Sequence, residues 1–270
     1  MVVIAVIAIA AGVYWLVSYK IPYDNAVKTY DSAVASLEQK NSELDVAIGD
    51  LTTLAASEDK PLSDDASAAV SDAIGKAQAA KESAPEMPKD VDSINATAAE
   101  IEEMGDYSNI LEKLSDAKTE YENSVKQMKQ VTNPTEAFVI QRIQTVPTVT
   151  GVEAVSEGND PNGQLNKSGW YTATVYFRSN MVNISKVHKL DGYTDVVGYG
   201  NSGGGAIEVY RTVDDAKARV NYLAQSDQTL IGGDSHEVIG TCVVRTSRYL
   251  TASQQNELTE NLIAALTRLE

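Results

Sequence analysis

The stretch VKTYDSAVASLEQKNSELDVAIGDLTTLA, residues 27–55, sets the reading of the first half of the chain. Val27, Tyr30, Val34, Leu37, Asn41, Leu44, Ile48, Leu51 and Ala55 follow one another at steps of three or four. That is a heptad seam held for about four repeats, the pattern of a helix packed against partner helices. Asn41 interrupts the seam. A lone Asn there either fixes register and partner number at some cost in stability or lies at a wet edge of the bundle.

Downstream, Lys60-Pro61 stops the pattern, and Ser63 is placed to cap a new helix with Asp64 and Asp65 in its first turn. This helix is alanine-rich through Ala66, Ala69, Ala73, Ala77 and Ala80, and Pro85 and Pro88 end it. A third stretch carries Val91, Ile94, Ala98 and Ile101, pauses at Gly105, and resumes with Ile110, Leu114, Ala117, Tyr121, Val125 and Met128. Short polar turns between these stretches predict an antiparallel three-helix coiled-coil bundle over residues 20–133, its third member bending at Gly105. From Tyr23 to Ala56 the first helix would run about 50 Å at 1.5 Å per residue. That is the shape of a spacer, or of a binding surface, although no exposed aromatic or basic stripe marks one.

Upstream, Met1 to Tyr19 carry no charged side chain. A run of about 18 apolar residues is long enough to cross the roughly 30 Å hydrocarbon layer. Tyr14, Trp15 and Tyr19 sit at one end, where amphipathic rings favour the membrane boundary. The run predicts a transmembrane signal anchor over residues 1–19. A cleaved signal peptide fits less well, because Ala8-Ile9-Ala10 lies inside the run, and a lipoprotein would need a cysteine just after it, whereas the only cysteine is Cys242. Lys20 and Lys28 downstream favour a cytoplasmic soluble part by the positive-inside rule; the near absence of cysteine argues for the outside.

Beyond Pro134 the period changes. Glu136 to Val146 reads as a short helix; Val149 to Val155, Trp170 to Phe177, Ala206 to Tyr210 and Val238 to Val244 read as strands by β-branched and aromatic content. Thr212 with Asp215 opens one helix, and Thr251 with Gln254 forms a capping box before Leu258, Leu262, Leu266 and Leu269. This order predicts a small α+β domain over residues 134–270, with a mainly antiparallel sheet and helices on one face.

Charge supports the division. Residues 20–133 hold 23 acidic and 11 basic side chains, a net of −12; residues 134–270 hold 15 and 11, a net of −4. Such a surface repels nucleic-acid phosphates, so a nucleic-acid partner is excluded. One cysteine permits no internal disulfide.

Several motifs suggest chemistry and fail in context. Gly198-Tyr-Gly200-Asn-Ser-Gly203 matches the phosphate-cradling G-x-G-x-x-G, but a strand-like Ala206 to Tyr210 follows where a helix is needed. It is expected to be a flexible glycine loop. Asp160, Asn162, Gln164 and Asn166 alternate like a calcium loop but lack its carboxylates and terminal Glu; within Asn159-Asp-Pro-Asn-Gly163 a hairpin turn is expected. Asp234-Ser235-His236 holds the residue types of a hydrolytic triad, yet neighbours on extended chain face opposite ways. Arg211, Arg245 and Arg248 would grip a carboxylate if their strands are neighbours, with pairing to Glu208 or Asp214 the plainer expectation. Cys242 reads as a small core residue.

The helical part, with Lys-Asn-Ser-Glu-Leu-Asp at 40–45, Lys60-Pro61-Leu62 and Pro85-Glu86-Met87-Pro88, resembles FIVAR-like helical modules of Gram-positive surface proteins. The second part, with Asn159-Asp-Pro-Asn-Gly163, Gly204-Gly-Ala-Ile-Glu-Val-Tyr210 and Thr251-Ala-Ser-Gln-Gln255, is similar to the terminal module of uncharacterised membrane-anchored envelope proteins of those bacteria. The resemblance implies a single-pass protein of the cell membrane with an extracytoplasmic soluble part and no known catalysis. It transfers no functional residues. The expected function is therefore non-enzymatic: a helical stalk presenting an α+β head to a cell-wall or protein partner, without catalytic residues, metal or cofactor. Trp170, Tyr193 and Tyr199 are the candidate ligand-binding residues, since rings on loops suit sugar or peptide recognition; for Trp170 a plain core role is the stronger reading. The alternatives are a cell-wall enzyme with two carboxylates in a deep pocket and a cytoplasm-facing scaffold.

Overall fold

The computed structural model describes residues 2–227 and 233–270. It is an α+β protein of eight α-helices, three short π- or 3-10-helical segments and five strands among the described residues, divided into two compact units: residues 1–58 with 64–121, and residues 59–63 with 122–270.

The apolar N-terminus forms α1 (Val2–Trp15) and then a π-helical segment, Leu16–Lys20. The 14 residues of α1 rise about 21 Å, short of the roughly 30 Å hydrocarbon layer. No helix among the described residues is long and apolar enough to cross a membrane. The expected transmembrane signal anchor over 1–19 is thereby overturned, and with it the single-pass location at the cell membrane. An uncharged run of the right length was read as one α-helix; the change of hydrogen-bond period at Leu16 divides it.

The first unit is built on α2 (Ile21–Ala55). Leu37, Leu44, Ile48 and Leu51 are buried along the expected seam. At the N-terminal end the seam rotates by one residue, burying Ala26 and Ala33 rather than Val27 and Val34. Ala33 and Leu37 meet Ala98 and Ile101 of α4 (Val91–Glu103), where small side chains let the helices approach closely. α3 (Asp64–Ala79) precedes α4, and α5 (Ser108–Gln130) follows it.

The expected three-helix bundle is corrected to four helices and an extended segment. Residues 81–88 are not helical; Pro85 and Pro88 disfavour helical conformation in the residues before them. This segment runs back along α2: Lys81 pairs with Asp45 at 2.7 Å, Glu82 O accepts from Asn41 Nδ2 at 2.9 Å, and Pro85 O accepts from Tyr30 Oη. At Gly105, φ is +72°, and the third stretch breaks there instead of bending. A Cβ on Gly105 would meet Leu37 Cδ1 at 2.9 Å, so the break is packed as well as twisted.

Asn41 sits at this break, half-buried. Its Oδ1 accepts from Tyr107 Oη at 2.7 Å, and that hydroxyl in turn accepts from Glu82 N at 2.9 Å. The two readings of Asn41 merge: it lies at the edge of the seam and ties three segments in register.

The second unit is a five-stranded antiparallel sheet of order β1-β2-β3-β5-β4. Its strands are β1 (Val149–Ala154), β2 (Ala173–Ser179), β3 (Gly204–Val209), β4 (Ser235–Ile239) and β5 (Cys242–Thr246). The single strand read over Val238 to Val244 is a hairpin, turning at Gly240 with φ +57°. On one face Val175, Phe177, Ile207, Val209 and Val244 pack against α6 (Glu136–Ile143) and α8 (Ala252–Thr267). Leu258, Leu262 and Leu266 of α8 are fully buried, each contributing about 1.5–3 kcal/mol. The Thr251–Gln254 capping box starts α8.

Helices were expected on one face only. Instead α7 (Val213–Asp227) crosses to the other, where Ala216 packs with Tyr171, Tyr210 and Val243. The second face carries partnered charge, and that is what positions the site.

Candidate functional site

Side chains alternate across a strand, so Tyr176 and Arg178 of β2, Ala206 and Glu208 of β3, and Val243 and Arg245 of β5 share the second face. Glu208 is 1 % exposed in the middle of this face. A buried carboxylate must be matched. Arg219 of α7 reaches it with Nε at 2.8 Å and Nη2 at 3.0 Å, a bidentate fork. Arg245 Nη1 donates at 2.7 Å and Tyr210 Oη at 2.7 Å. Burial pushes the Glu208 carboxyl up, but the Arg245 charge, Arg219 and the Tyr210 hydroxyl together bring it down to about 2. Burial and the adjacent carboxylate push the Tyr210 phenol up, so it stays a donor.

Arg245 extends the network. Its Nη2 donates to Asp234 Oδ2 at 3.0 Å, which also accepts from Asn201 Nδ2 at 3.1 Å. Asp234 Oδ1 accepts the Arg248 backbone N–H at 3.0 Å. Asn201 Oδ1 and Arg245 Nε are buried without a hydrogen-bond partner among the described residues.

Over this network opens a cleft of about 370 Å³, lined among others by Tyr176, His188, Tyr199, Asn201, Arg248 and Tyr249. Its walls come from three loops: residues 161–162, the 188–202 segment, and the turn after β5. Tyr176 is buried at its base, its hydroxyl accepting from Asn162 Nδ2 at 3.2 Å; burial pushes that phenol up to about 12. One guanidinium–ring pair, Arg248 over Tyr249 at 5.5 Å, lines the cleft; in a second, Arg178 lies over the ring of the lining residue Tyr199 at 5.7 Å. A smaller hollow of about 280 Å³ between α3 and α5 has a floor of Ala69, Ala73, Ile110 and Ala117, with Asp72, Lys76, Lys113, Asp116 and Glu120 around it.

The three ring residues expected at a site separate. Tyr199 lines the cleft. Tyr193 packs behind it, half-buried against a cluster that includes Tyr176 and Val197. Trp170 belongs to the α7 side, edge-on to Tyr171 at 6.2 Å with Arg219 over its ring at 5.3 Å. Its core role is the one the packing favours.

The glycine-rich stretch is not a flexible loop. Gly203, Gly204 and Gly205 are buried, and a Cβ on Gly205 would meet Arg245 O at 2.1 Å and Phe177 Cζ at 2.5 Å. These glycines let neighbouring strands and the Phe177 ring close over β3. The Asp160 turn is structural too: Asp160 accepts from the N–H groups of Asn162, Gln164 and Leu165 and from Tyr171 Oη, at 2.7–3.0 Å, leaving its oxygens committed. No group of three or more His, Cys, Asp or Glu among the described residues is placed to hold a metal ion. In Asp234-Ser235-His236, His236 Nδ1 lies 3.2 Å from the Asp234 carbonyl oxygen, not its carboxylate. Arg245 pairs with Glu208 as the plainer reading expected, but its companion is Arg219; Arg211 is exposed.

Sequence reasoning missed Arg178 and Arg219, and weighed Asp234 only as part of a hydrolytic triad. The signal was Glu208 itself, a charge inside the apolar strand Gly-Gly-Ala-Ile-Glu-Val, which demands buried cations nearby.

Comparison with protein-family models, curated proteins and solved structures finds no match to this chain. The geometry therefore carries the functional argument.

Proposed function

We propose that this chain is a non-catalytic binding protein whose α+β unit takes a polar partner, of cell-wall or protein origin, at the Tyr176–Tyr199–Tyr249 cleft. The carrying observation is an open, polar cleft whose nearby carboxylates are already spent in fixing its walls. Glu208 is clamped by two guanidiniums and a phenol, and Asp234 by Arg245, Asn201 and the Arg248 amide. A general base needs a carboxylate free to reach a substrate proton, and both of these are held in place as scaffold. What remains open to a partner is ring faces, the Arg248 guanidinium and the His188 imidazole, a set suited to recognition.

The test is titration of the whole chain with neutral and acidic oligosaccharides and short peptides, followed by NMR and by product analysis. Binding is expected without turnover, and Asn162→Trp, an exposed rim position that would fill the cleft, is expected to abolish it. Product formation, or binding indifferent to Asn162→Trp, overturns the reading.

A further inference from the structure

Resting on that reading of the cleft, we infer that its ligand carries an oxyanion, a carboxylate or a phosphate ester, gripped between the Arg178–Tyr199 and Arg248–Tyr249 pairs. The chain bears 38 acidic against 22 basic side chains, so a surface arginine has many carboxylates to choose from. Yet among the described residues neither Arg178 nor Arg248 forms an ion pair. The carboxylates beside them are engaged elsewhere. Asp195 is held by Lys189 at 2.5 Å and feels Arg178 only at longer range; Asp234 is held by Arg245 and Asn201, and meets only the backbone N–H of Arg248.

The topology places both arginines at one end of the sheet. Arg178 is paired with Gly204, and Gly204 O accepts from Ser247 N at 2.9 Å, one residue before Arg248. Two strand spacings separate them, roughly 10 Å. Each guanidinium is seated on a tyrosine ring, which restrains the side chain without neutralising it. Arg248 is exposed and Arg178 half-buried; a guanidinium held in one place with its hydrogen-bond fork unused is a preorganised oxyanion receptor.

The probes are glucose, glucuronate and glucose 6-phosphate, one ring with no charge, a carboxylate or a phosphate ester, titrated by NMR into the full chain. At least one acid is expected to bind about 10-fold more tightly than glucose, with the preference falling as salt screens it. The better acid identifies the source of the oxyanion. Arg248→Gln and Arg178→Gln are each expected to lower the preference several-fold, while Arg211→Gln, an exposed arginine at the far end of β3, leaves it intact; thermal melts confirm folding of all three. Equal binding of the three sugars, no binding by any, or an Arg211→Gln effect equal to Arg248→Gln overturns the inference. Neutral binding that Asn162→Trp still abolishes would sink the oxyanion alone and leave the cleft standing; no cleft binding by any ligand would sink both.

Discussion

Glu208→Gln tests the centre of the second unit. In the wild type the carboxylate takes four donors and is 1 % exposed. Glutamine keeps the shape, removes the charge, and turns an N–H₂ toward a guanidinium. Removing one partner of a buried ion pair costs about 3–5 kcal/mol. A second route gives a consistent figure. The carboxyl lies at about 2 when folded against its ordinary 4.5, which at 1.36 kcal/mol per pH unit is about 3 kcal/mol. A depressed carboxylate stabilises the fold fully above its unfolded value, and that contribution is lost as pH falls from about 4.5 toward 2. Trp170, which lies under Arg219 at 5.3 Å, reports this unit by fluorescence in a Trp15→Phe background. With a urea slope of about 2 kcal/mol per M, the midpoint at pH 6.5 is expected to drop by about 1.5–2.5 M, and the gap between the two proteins to narrow toward pH 2.5. A drop under about 0.5 M, or an unchanged gap at low pH, would refute the claim that this carboxylate holds the sheet's second face together.

Tyr107→Phe removes the hydroxyl that joins Glu82 N to Asn41 Oδ1; calorimetry is expected to show a loss of about 1–3 kcal/mol in the first unit. Asn41→Ala should not add fully to it, and a coupling below about 0.5 kcal/mol would argue that the network is not cooperative. Gly205→Ala drives a Cβ to 2.1 Å from the Arg245 carbonyl oxygen, a backbone atom with no rotamer to yield. It should cost about 3 kcal/mol or more in chemical denaturation. Cys242 is fully buried and its thiol is pushed up to about 12 by burial. Its alkylation by iodoacetamide at pH 8 is expected only at the rate of opening of the sheet.

Local features carry much of the architecture. The 3.6-residue period placed α2 with Leu37, Leu44, Ile48 and Leu51 inward, and the Thr251–Gln254 box located the start of α8. Asn41 was legible as special because a polar residue in an apolar seam needs partners. The N-terminal half of that seam differs by one position, since Ala26 and Ala33 give a weaker hydropathy signal than Val27 and Val34, yet Ala33 permits the closer approach to α4 that packing rewards. The apolar run at 1–19 was misread for a related reason: composition reports solvent preference, not whether one hydrogen-bond period persists, and α1 ends at Trp15.

By itself the sequence determined where α2 and α8 lie and which other stretches favour helix or strand, because periodicity, caps and proline breaks act within a few residues; it did not show the breaks at Leu16, Gly105 and Gly240. It also offered Glu208, beside Asp214, as a partner for Arg211, Arg245 and Arg248. Only tertiary structure decided which cations, because Arg219 and Arg245 lie 11 and 37 residues away in sequence and reach Glu208 through the order β3-β5 and the crossing of α7. The cleft belongs to the same category: its loops are brought to one end of the sheet by strand pairing, which depends on contacts between residues far apart in the chain.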